Sequence, residues 1–343
     1  MTRRRLAGAS TAVGMLLAAV AVAFVVQRLA SNWDDVTDAL AGARPGWIAG
    51  AAVLAVAGMT AIAVPWRRAL RAVGGDLDMG QVVARYYLGE LGKYLPGGVW
   101  PVVGRGELAR RAGVPRVAAY ASVGLSLVAL YLAAMLLAVA GTPAILGGQR
   151  GEDADRYLWI LLLLPVGVGV LHHGVLDRLR RLGEKVLRRQ LVAEIPPWRE
   201  SLVLVACYLP SWLLVGTSTW AIARGLGQDV GWWDVAPAAV LSWIVGFLLV
   251  PVPGGVGVRE AAFAAAAGAL DPGVAAAVAV VARVLFVAAD GGGALVASAW
   301  LARHPAPVAV APGEAGEADE GAAADAPADA AAPAAEASAL PPP

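Results

Sequence analysis

The sequence contains almost none of the residues that build disulfides and metal sites. It has one cysteine, Cys207, and three histidines among 343 residues. A single cysteine excludes an intrachain disulfide, and no histidine or cysteine stands at the spacing of metal ligands. Nucleotide loops and nucleophile elbows are missing as well. We therefore predict no metal, no cofactor and no enzymatic activity, and we expect Cys207 to be a packed thiol.

Charged residues are also scarce. They make up 15% of the chain, whereas about 25% is usual for a soluble domain. Hydrophobic residues reach 59%, and the mean hydropathy is +0.65. These values exclude a soluble domain and predict an all-α, polytopic transmembrane helical bundle. The basic residues fall mainly in short loops, where they set membrane orientation, so we expect no nucleic-acid partner.

The last 39 residues differ from the rest of the chain. Residues 305–343 are mostly Ala and Pro, and they contain seven acidic and no basic residues. Such a composition cannot bury a core, so we expect a disordered acidic tail after a transmembrane domain at 1–304. The acidic residues of the tail are Glu314, Glu317, Asp319, Glu320, Asp325, Asp329 and Glu336.

About six apolar runs are long enough to be spanning helices. They cover residues 6–26, 46–65, 117–140, 157–171, 201–223 and 273–301. The distribution of Lys and Arg between the loops predicts that both termini lie in the cytoplasm. Residues 172–199 carry seven Lys or Arg. This segment is either an amphipathic helix attracted to anionic headgroups or a loop that only fixes orientation.

Two further apolar stretches, 81–103 and 235–270, are interrupted by proline and glycine. Interrupted backbone at membrane depth has to be buried in protein or line a wet cavity, so we predict two re-entrant or broken helical hairpins. A helix pair on the membrane surface is the alternative for the first stretch, and tight packing is the alternative role for the glycines. The residues at the breaks are Pro96, Gly97, Gly98, Pro253, Gly254 and Gly255.

The two breaks resemble each other. Each reads Pro-Gly-Gly-Val and is followed by Arg and Glu, and the second lies about 155 residues after the first. Matching interrupted segments in two halves of a chain indicate a transporter-type binding site. With an odd number of spans in each half, residues 6–140 and 157–302 would form an inverted repeat.

Ionisable residues inside these apolar segments are the candidate site residues, because charge in a membrane is expensive. Arginine suits phosphate, since its planar fork holds two oxygens. The alternatives are structural ion pairs and interfacial anchors, including a pair between Arg283 and either Glu260 or Glu90. The candidate headgroup ligands are Arg85, Arg105, Arg259 and Arg283, with supporting carboxylates at Glu90, Glu107, Glu260 and Asp290.

The motifs L-G-K-Y-L-P-G-G-V-W and V-P-V-P-G-G-V-G-V-R-E, with the arginine of A-R-V-L-F, resemble a known family. This is the flippase-like family that includes the membrane part of lysylphosphatidylglycerol synthases, and the resemblance covers roughly residues 10–302. It implies a helical bundle with re-entrant elements in the bacterial plasma membrane. It also implies a role in moving or handling phospholipids or lipid-linked polar groups. Fused members carry an aminoacyl-transferase domain that this sequence lacks, so lipid aminoacylation is not implied.

Three hypotheses follow for function. The first is a non-catalytic translocator of anionic phospholipids or lipid-linked groups, whose polar headgroup enters a cavity between the two halves. The second is a scaffold or accessory subunit for a lipid-modifying enzyme or a glycosyltransferase. The third, an integral-membrane transferase acting on a lipid-linked sugar, is the weakest because no co-substrate site is visible. Without an ATP motif, uphill transport would require an ion gradient or a partner.

Overall fold

A computed structural model describes residues 41–95, 99–147, 162–187, 194–248, 255 and 257–305 of the chain. The segments in these ranges are helical or irregular, and none of them is a strand. The first predicted helix, at 6–26, and nearly all of the acidic tail lie outside the described residues. The same holds for Pro96, Gly97, Gly98, Pro253 and Gly254.

The described chain forms eleven α-helices and one 3₁₀ turn. In chain order they are α1 (Pro45–Ala72), α2 (Met79–Glu90), the 3₁₀ turn (Leu91–Tyr94), α3 (Trp100–Arg111), α4 (Arg116–Ala140), α5 (Thr142–Gly147), α6 (Leu163–Val170), α7 (His173–Leu187), α8 (Trp198–Gly225), α9 (Trp232–Leu248), α10 (Val258–Ala266) and α11 (Pro272–Arg303).

Four of the helices, α1, α4, α8 and α11, are long and apolar enough to cross a membrane. They have 28, 25, 28 and 32 residues, and a span requires about 20. The chain is therefore a multi-pass, all-helical membrane protein. Helix α6 falls within the fourth predicted span, of which residues 157–161 lie outside the described part of the chain.

Helix α1 is longer than the sequence predicted. Its expected end was near Pro65, but it continues for seven residues to Ala72. A proline inside a helix removes one hydrogen bond without forcing the helix to stop when tertiary contacts hold the next turn. Here the buried Trp66 donates a hydrogen bond from Nε1 to Oγ of Ser122 on α4 at 3.1 Å. That contact fixes the turn that follows the proline.

Contacts between helix ends define two faces of the bundle. The backbone N–H of Arg44, just before α1, donates to the carbonyl of Gly225 at the end of α8 at 2.8 Å. At the other end of α1, Nε2 of Gln81 on α2 donates to the carbonyl of His304, just after α11, at 2.7 Å. The start of α1 and the end of α8 therefore share one face. The start of α2 and the end of α11 share the second face.

The two interrupted segments form pairs of short helices. Helices α2 and α3 have 12 residues each, and α9 and α10 have 17 and 9. All are shorter than the roughly 20 residues of a full span. Gly255, the one described residue among the predicted breaks, has φ +65°, a conformation that favours glycine.

The segment after α6 is the amphipathic helix that the sequence suggested. Helix α7 is basic on one side, and Arg180 donates to both Asp177 and Glu184 at 3.0 Å. Its apolar side chains Leu179 and Leu182 are exposed. An exposed apolar stripe beside a basic face is typical of a helix that lies at a membrane interface.

The three consecutive glycines of α11 give a test of helix packing. A Cβ on Gly292 would meet no atom within 4 Å, whereas a Cβ on Gly293 would overlap the ring of Tyr87 on α2. We predict that Gly293→Ala lowers the free energy of unfolding by about 1–3 kcal/mol through overpacking. Gly292→Ala is the matched control and should leave stability unchanged or raise it slightly. Thermal unfolding in detergent, followed by circular dichroism, measures both, and equal unfolding temperatures would contradict the packing.

Candidate functional site

The two interrupted segments meet at a cavity of about 300 Å³. Its wall includes residues of α2, the 3₁₀ turn and α3 from the first segment, and of α9, Gly255 and α10 from the second. Side chains of α1, α4 and α8 complete the wall, among them Ile62, Tyr131 and Trp212. The wall is mostly apolar and aromatic. The ionisable groups in it, apart from tyrosine, are Glu90, Lys93, Arg105 and Arg259.

Arg105 is the most deeply buried of these cations, with 1% of its side chain exposed. Its guanidinium carbon lies 5.8 Å from the ring centre of Trp66 and 5.5 Å from that of Tyr86. Within the described residues, its Nε and Nη1 atoms have no hydrogen-bond partner. The nearest carboxylate, Oε1 of Glu90, is 3.8 Å from Nε, too far for a hydrogen bond. Unsatisfied buried donors are costly, so this guanidinium is poised to bind an acceptor.

Arg259 comes from the second segment and has a similar environment. Its guanidinium lies over the ring of Trp243, 3.6 Å from the ring centre. A Cβ on Gly246 would overlap its side chain, and a Cβ on Gly255 would lie 3.0 Å from it. No carboxylate among the described residues forms an ion pair with it. The aromatic ring stabilises the cation without neutralising it.

The two arginines occupy comparable positions, since Arg105 is nine residues after Pro96 and Arg259 is six residues after Pro253. Each one follows a Pro-Gly-Gly break, and each lies against a glycine of the helix that precedes the break. For Arg105 that glycine is Gly89, where a Cβ would overlap the arginine side chain, and for Arg259 it is Gly246. In both segments the glycine lets the returning helix approach closely enough for the arginine to reach the cavity.

A buried carboxylate lies beside the cavity. Asp290 of α11 is 0% exposed, and its Oδ2 atom is 2.6 Å from Nζ of Lys93 and accepts a 2.7 Å hydrogen bond from the hydroxyl of Tyr94. Lys93 also lies 3.5 Å from Oε2 of Glu90 and 5.6 Å from the ring centre of Trp243. Asp290 and Glu90 were predicted from the sequence as site residues, whereas Lys93 and Tyr94 were not. Their position just before the first break is the sequence feature that could have identified them.

The other four predicted residues lie elsewhere, and three of them are Arg85, Arg283 and Glu260. Arg85 is buried, but its Nε donates to the carbonyl of Leu108 at 3.0 Å and its Nη1 donates to Gln81, so its donors are used in bracing α2 and α3. Arg283 forms an ion pair with Glu260, which also accepts a 2.7 Å hydrogen bond from the backbone of Gly257. This is one of the structural pairs that the sequence left open.

Glu107 faces away from Arg105. It accepts hydrogen bonds from Arg110 at 2.7 and 2.8 Å and from Arg111 at 3.0 Å. The hydrogen bond from Arg110 is the main cause of a pKa of about 2 for Glu107. This carboxylate therefore stays ionised at neutral pH and anchors the exposed end of α3.

The charge balance of the cavity favours an anion. Lys93, Arg105 and Arg259 are three cations, and Glu90 and Asp290 are two carboxylates, which leaves one positive charge. Taking a charge out of water costs several kcal/mol unless a partner compensates it. A phosphate or another oxyanion would supply both the charge and the missing acceptors. In the described ranges, no three His, Cys, Asp or Glu side chains group as they would around a metal ion.

The fold and this cavity define a class: a multi-pass helical membrane protein with a cavity that is lined by three cations and lies between two interrupted helix pairs. The chain matches the family model described as lysylphosphatidylglycerol synthase TM region over residues 11–290. It therefore belongs to this family, as the motifs around the two breaks had suggested, and to a group of membrane proteins related to lipid handling. No curated protein matches the chain.

The hydrogen bond from Tyr94 to Asp290 can be tested by removing one oxygen. We predict that Tyr94→Phe lowers the free energy of unfolding by about 1.5–3 kcal/mol, because a buried carboxylate loses a donor. Tyr131→Phe is the matched control, since that ring stacks on Phe247 at 4.0 Å between ring centres and keeps this contact without the hydroxyl. Unfolding in detergent measures both. An unfolding temperature of Tyr94→Phe equal to that of the control would show that the bond adds no stability.

Proposed function

We propose that the protein translocates anionic phospholipids, or lipid-linked groups of the same charge, across the plasma membrane of a bacterium. The observation that carries this proposal is the convergence of Arg105 and Arg259, one from each interrupted segment, on one cavity. Arg105 offers donors that no described residue satisfies. The family's relation to lipid handling supports a lipid as the source of the anion.

The size of the cavity supports binding of a headgroup and not of a whole lipid. Small-molecule sites occupy about 300–1,000 Å³, and this cavity is at the lower end of that range. A phosphodiester with a small polar substituent fits such a volume, whereas acyl chains do not. The headgroup would therefore cross through the protein while the chains remain in the bilayer.

The arrangement of the interrupted segments supports alternating access. We infer that α2 and α3 enter from the cytoplasm and α9 and α10 from the opposite side, so that the two halves form an inverted repeat around the cavity. The basic residues Arg67, Arg68 and Arg71 at the end of α1 support this orientation, with both termini in the cytoplasm. Rocking of one half against the other would open the cavity to each side in turn. In this proposal the protein is not an enzyme.

The test compares buried arginines that differ in their partners. We predict that Arg105→Met and Arg259→Met each weaken binding of dioctanoylphosphatidylglycerol at least about tenfold, which corresponds to about 1.4 kcal/mol. Their unfolding temperatures should fall less than that of a bracing arginine, because Nε and Nη1 of Arg105 have no hydrogen-bond partner among the described residues and the guanidinium of Arg259 lies over an aromatic ring. Isothermal titration calorimetry of the purified protein measures binding. Movement of labelled phosphatidylglycerol in phosphatidylcholine vesicles measures transport.

Arg85→Met is the control for a bracing arginine. Because Arg85 donates to Leu108 and Gln81, its loss should lower the unfolding temperature while the folded fraction binds lipid normally. Unchanged lipid binding and transport in the Arg105 and Arg259 variants would contradict the proposed function. So would a loss of stability in these variants as large as that of Arg85→Met, because the two arginines would then be braces.

A second candidate function is an accessory subunit for a lipid-modifying enzyme or glycosyltransferase. The exposed Leu179 and Leu182 of the basic helix α7 favour it, because such a stripe can dock on a partner as well as on a membrane. Here we predict that Leu179→Glu with Leu182→Glu, or deletion of 305–343, detaches a co-purifying enzyme of that kind. Dioctanoylphosphatidylglycerol binding should persist. Retention of the enzyme in both variants would rule out these docking surfaces.

A further inference from the structure

Lys93 stands between the cavity and a buried carboxylate. It contributes to the cavity wall, and its ammonium group is 2.6 Å from Oδ2 of Asp290 and 3.5 Å from Oε2 of Glu90. The side chain is 18% exposed, in contrast to the fully buried Asp290. One cation thus has a fixed partner on one side and the proposed headgroup site on the other.

The two oxygen atoms of the Asp290 carboxylate differ in their partners. Lys93 and Tyr94 both contact Oδ2, at 2.6 and 2.7 Å. The other oxygen, Oδ1, is buried and has no hydrogen-bond partner among the described residues. A buried, unpartnered carboxylate oxygen is expensive, and a proton on it removes the charge that creates the cost.

The titratable groups around Asp290 come from several elements. From α2, Glu90 and the two tyrosines face it, and the 3₁₀ turn contributes a lysine and a tyrosine. Arg259 of α10 and Arg283 of α11 act electrostatically on the neighbouring Tyr94. Among the described residues these groups are Tyr86, Tyr87, Glu90, Lys93, Tyr94, Arg259 and Arg283, and Arg105 acts in the same way on Tyr86. Among the described groups in direct contact with Asp290, only Lys93 is a cation.

We propose that Asp290 and Lys93 form a proton-operated counter-ion pair that controls the headgroup site, an inference that rests on the proposed function. With Asp290 ionised, its charge holds and offsets Lys93. When a proton from solution binds to Oδ1, the Lys93 ammonium loses its main counter-charge and joins Arg105 and Arg259 as a third cation for the anion. The step is a single proton transfer to a carboxylate, and no other bond forms or breaks.

Electrostatics fixes the direction of the coupling. With both carboxylates ionised, the cluster has one excess positive charge, and with Asp290 neutral it has two. Coulomb energies are large in a low-dielectric interior, so the protonated form binds an anion more tightly. By linkage, the bound anion favours proton uptake by the same factor. A phosphodiester with one negative charge would then cross together with one proton, as an electrically neutral load.

The coupling gives the translocator an energy source that requires no nucleotide. A proton gradient would favour headgroup binding on the acidic side of the membrane and release on the other side. On that side Asp290 loses its proton and again forms an ion pair with Lys93. Lys93 already contributes to the cavity wall while it lies beside both carboxylates.

The test measures protons and lipid together. Dioctanoylphosphatidylglycerol is titrated into the detergent-solubilised protein in buffers of different ionisation enthalpy, which yields the number of protons taken up per lipid bound. We expect fractional proton uptake by the wild type, and tighter binding in mildly acidic than in mildly alkaline buffer. Asp290→Asn, which mimics the neutral acid, should bind about tenfold more tightly than the wild type in alkaline buffer, without proton uptake.

Lys93→Gln should have the opposite effect, with weak binding in both buffers and no proton uptake. Asp76→Asn is the control, because it removes an exposed carboxylate that pairs with Arg67 and Arg71 outside the cavity, and it should behave as the wild type. Proton uptake that is absent from the wild type, or that persists in Asp290→Asn and disappears in Glu90→Gln, would overturn the inference. Weaker binding by Asp290→Asn in both buffers would overturn it too.

Two further comparisons distinguish failure of the proton coupling from failure of the proposed function. Loss of lipid binding in Arg105→Met with no proton uptake by the wild type would leave the proposed function intact and refute only the coupling. Wild-type lipid binding by Arg105→Met would refute the headgroup site itself. Titration with the deacylated headgroup, glycerophosphoglycerol, identifies the source of the anion. Equal proton uptake with the lipid and with the deacylated headgroup assigns recognition to the phosphodiester alone. Proton uptake with the lipid alone assigns recognition to the intact lipid. Both results support the coupling.

Discussion

The central constraint on this structure is the burial of more positive than negative charge. Arg105 and Arg259 are sheltered by the faces of Trp66, Tyr86 and Trp243, which stabilise a cation without cancelling it. A protein that needed only stability would replace such groups by apolar side chains of similar volume. Their presence in a mostly apolar wall, where only Glu90 among the ionisable wall residues is a carboxylate, is the basis of the proposal that an anion enters the cavity.

The broken helices serve this arrangement. A continuous helix would carry an arginine along the side of the bundle, whereas a returning short helix brings its first turns back to the middle of the fold. Gly89 and Gly246 remove the Cβ atoms that would block Arg105 and Arg259. The preceding glycines therefore allow α3 and α10 to lie close to α2 and α9.

Part of this arrangement could be predicted from the sequence, because hydropathy and breakers are local signals. The four spans, the amphipathic helix α7 and the choice of Arg105, Arg259 and Glu90 came from such signals. The pairing of Tyr94 with Asp290 could not be predicted, because 196 residues separate them and only packing brings them together. Proline suggested an end for α1, but contacts with α4 hold the helix beyond it.

The comparison of Arg85 with Arg105 shows why the role of a buried charge depends on its partners. Both belong to the first interrupted segment, both are nearly inaccessible, and the sequence treats them alike. Nε and Nη1 of Arg85 donate to carbonyl groups, so Arg85 braces α2 and α3. Arg105 has aromatic neighbours and a carboxylate at 3.8 Å, and its Nε and Nη1 have no hydrogen-bond partner among the described residues. Burial makes both charges costly, so the difference between their partners is what separates a brace from a candidate ligand-binding residue.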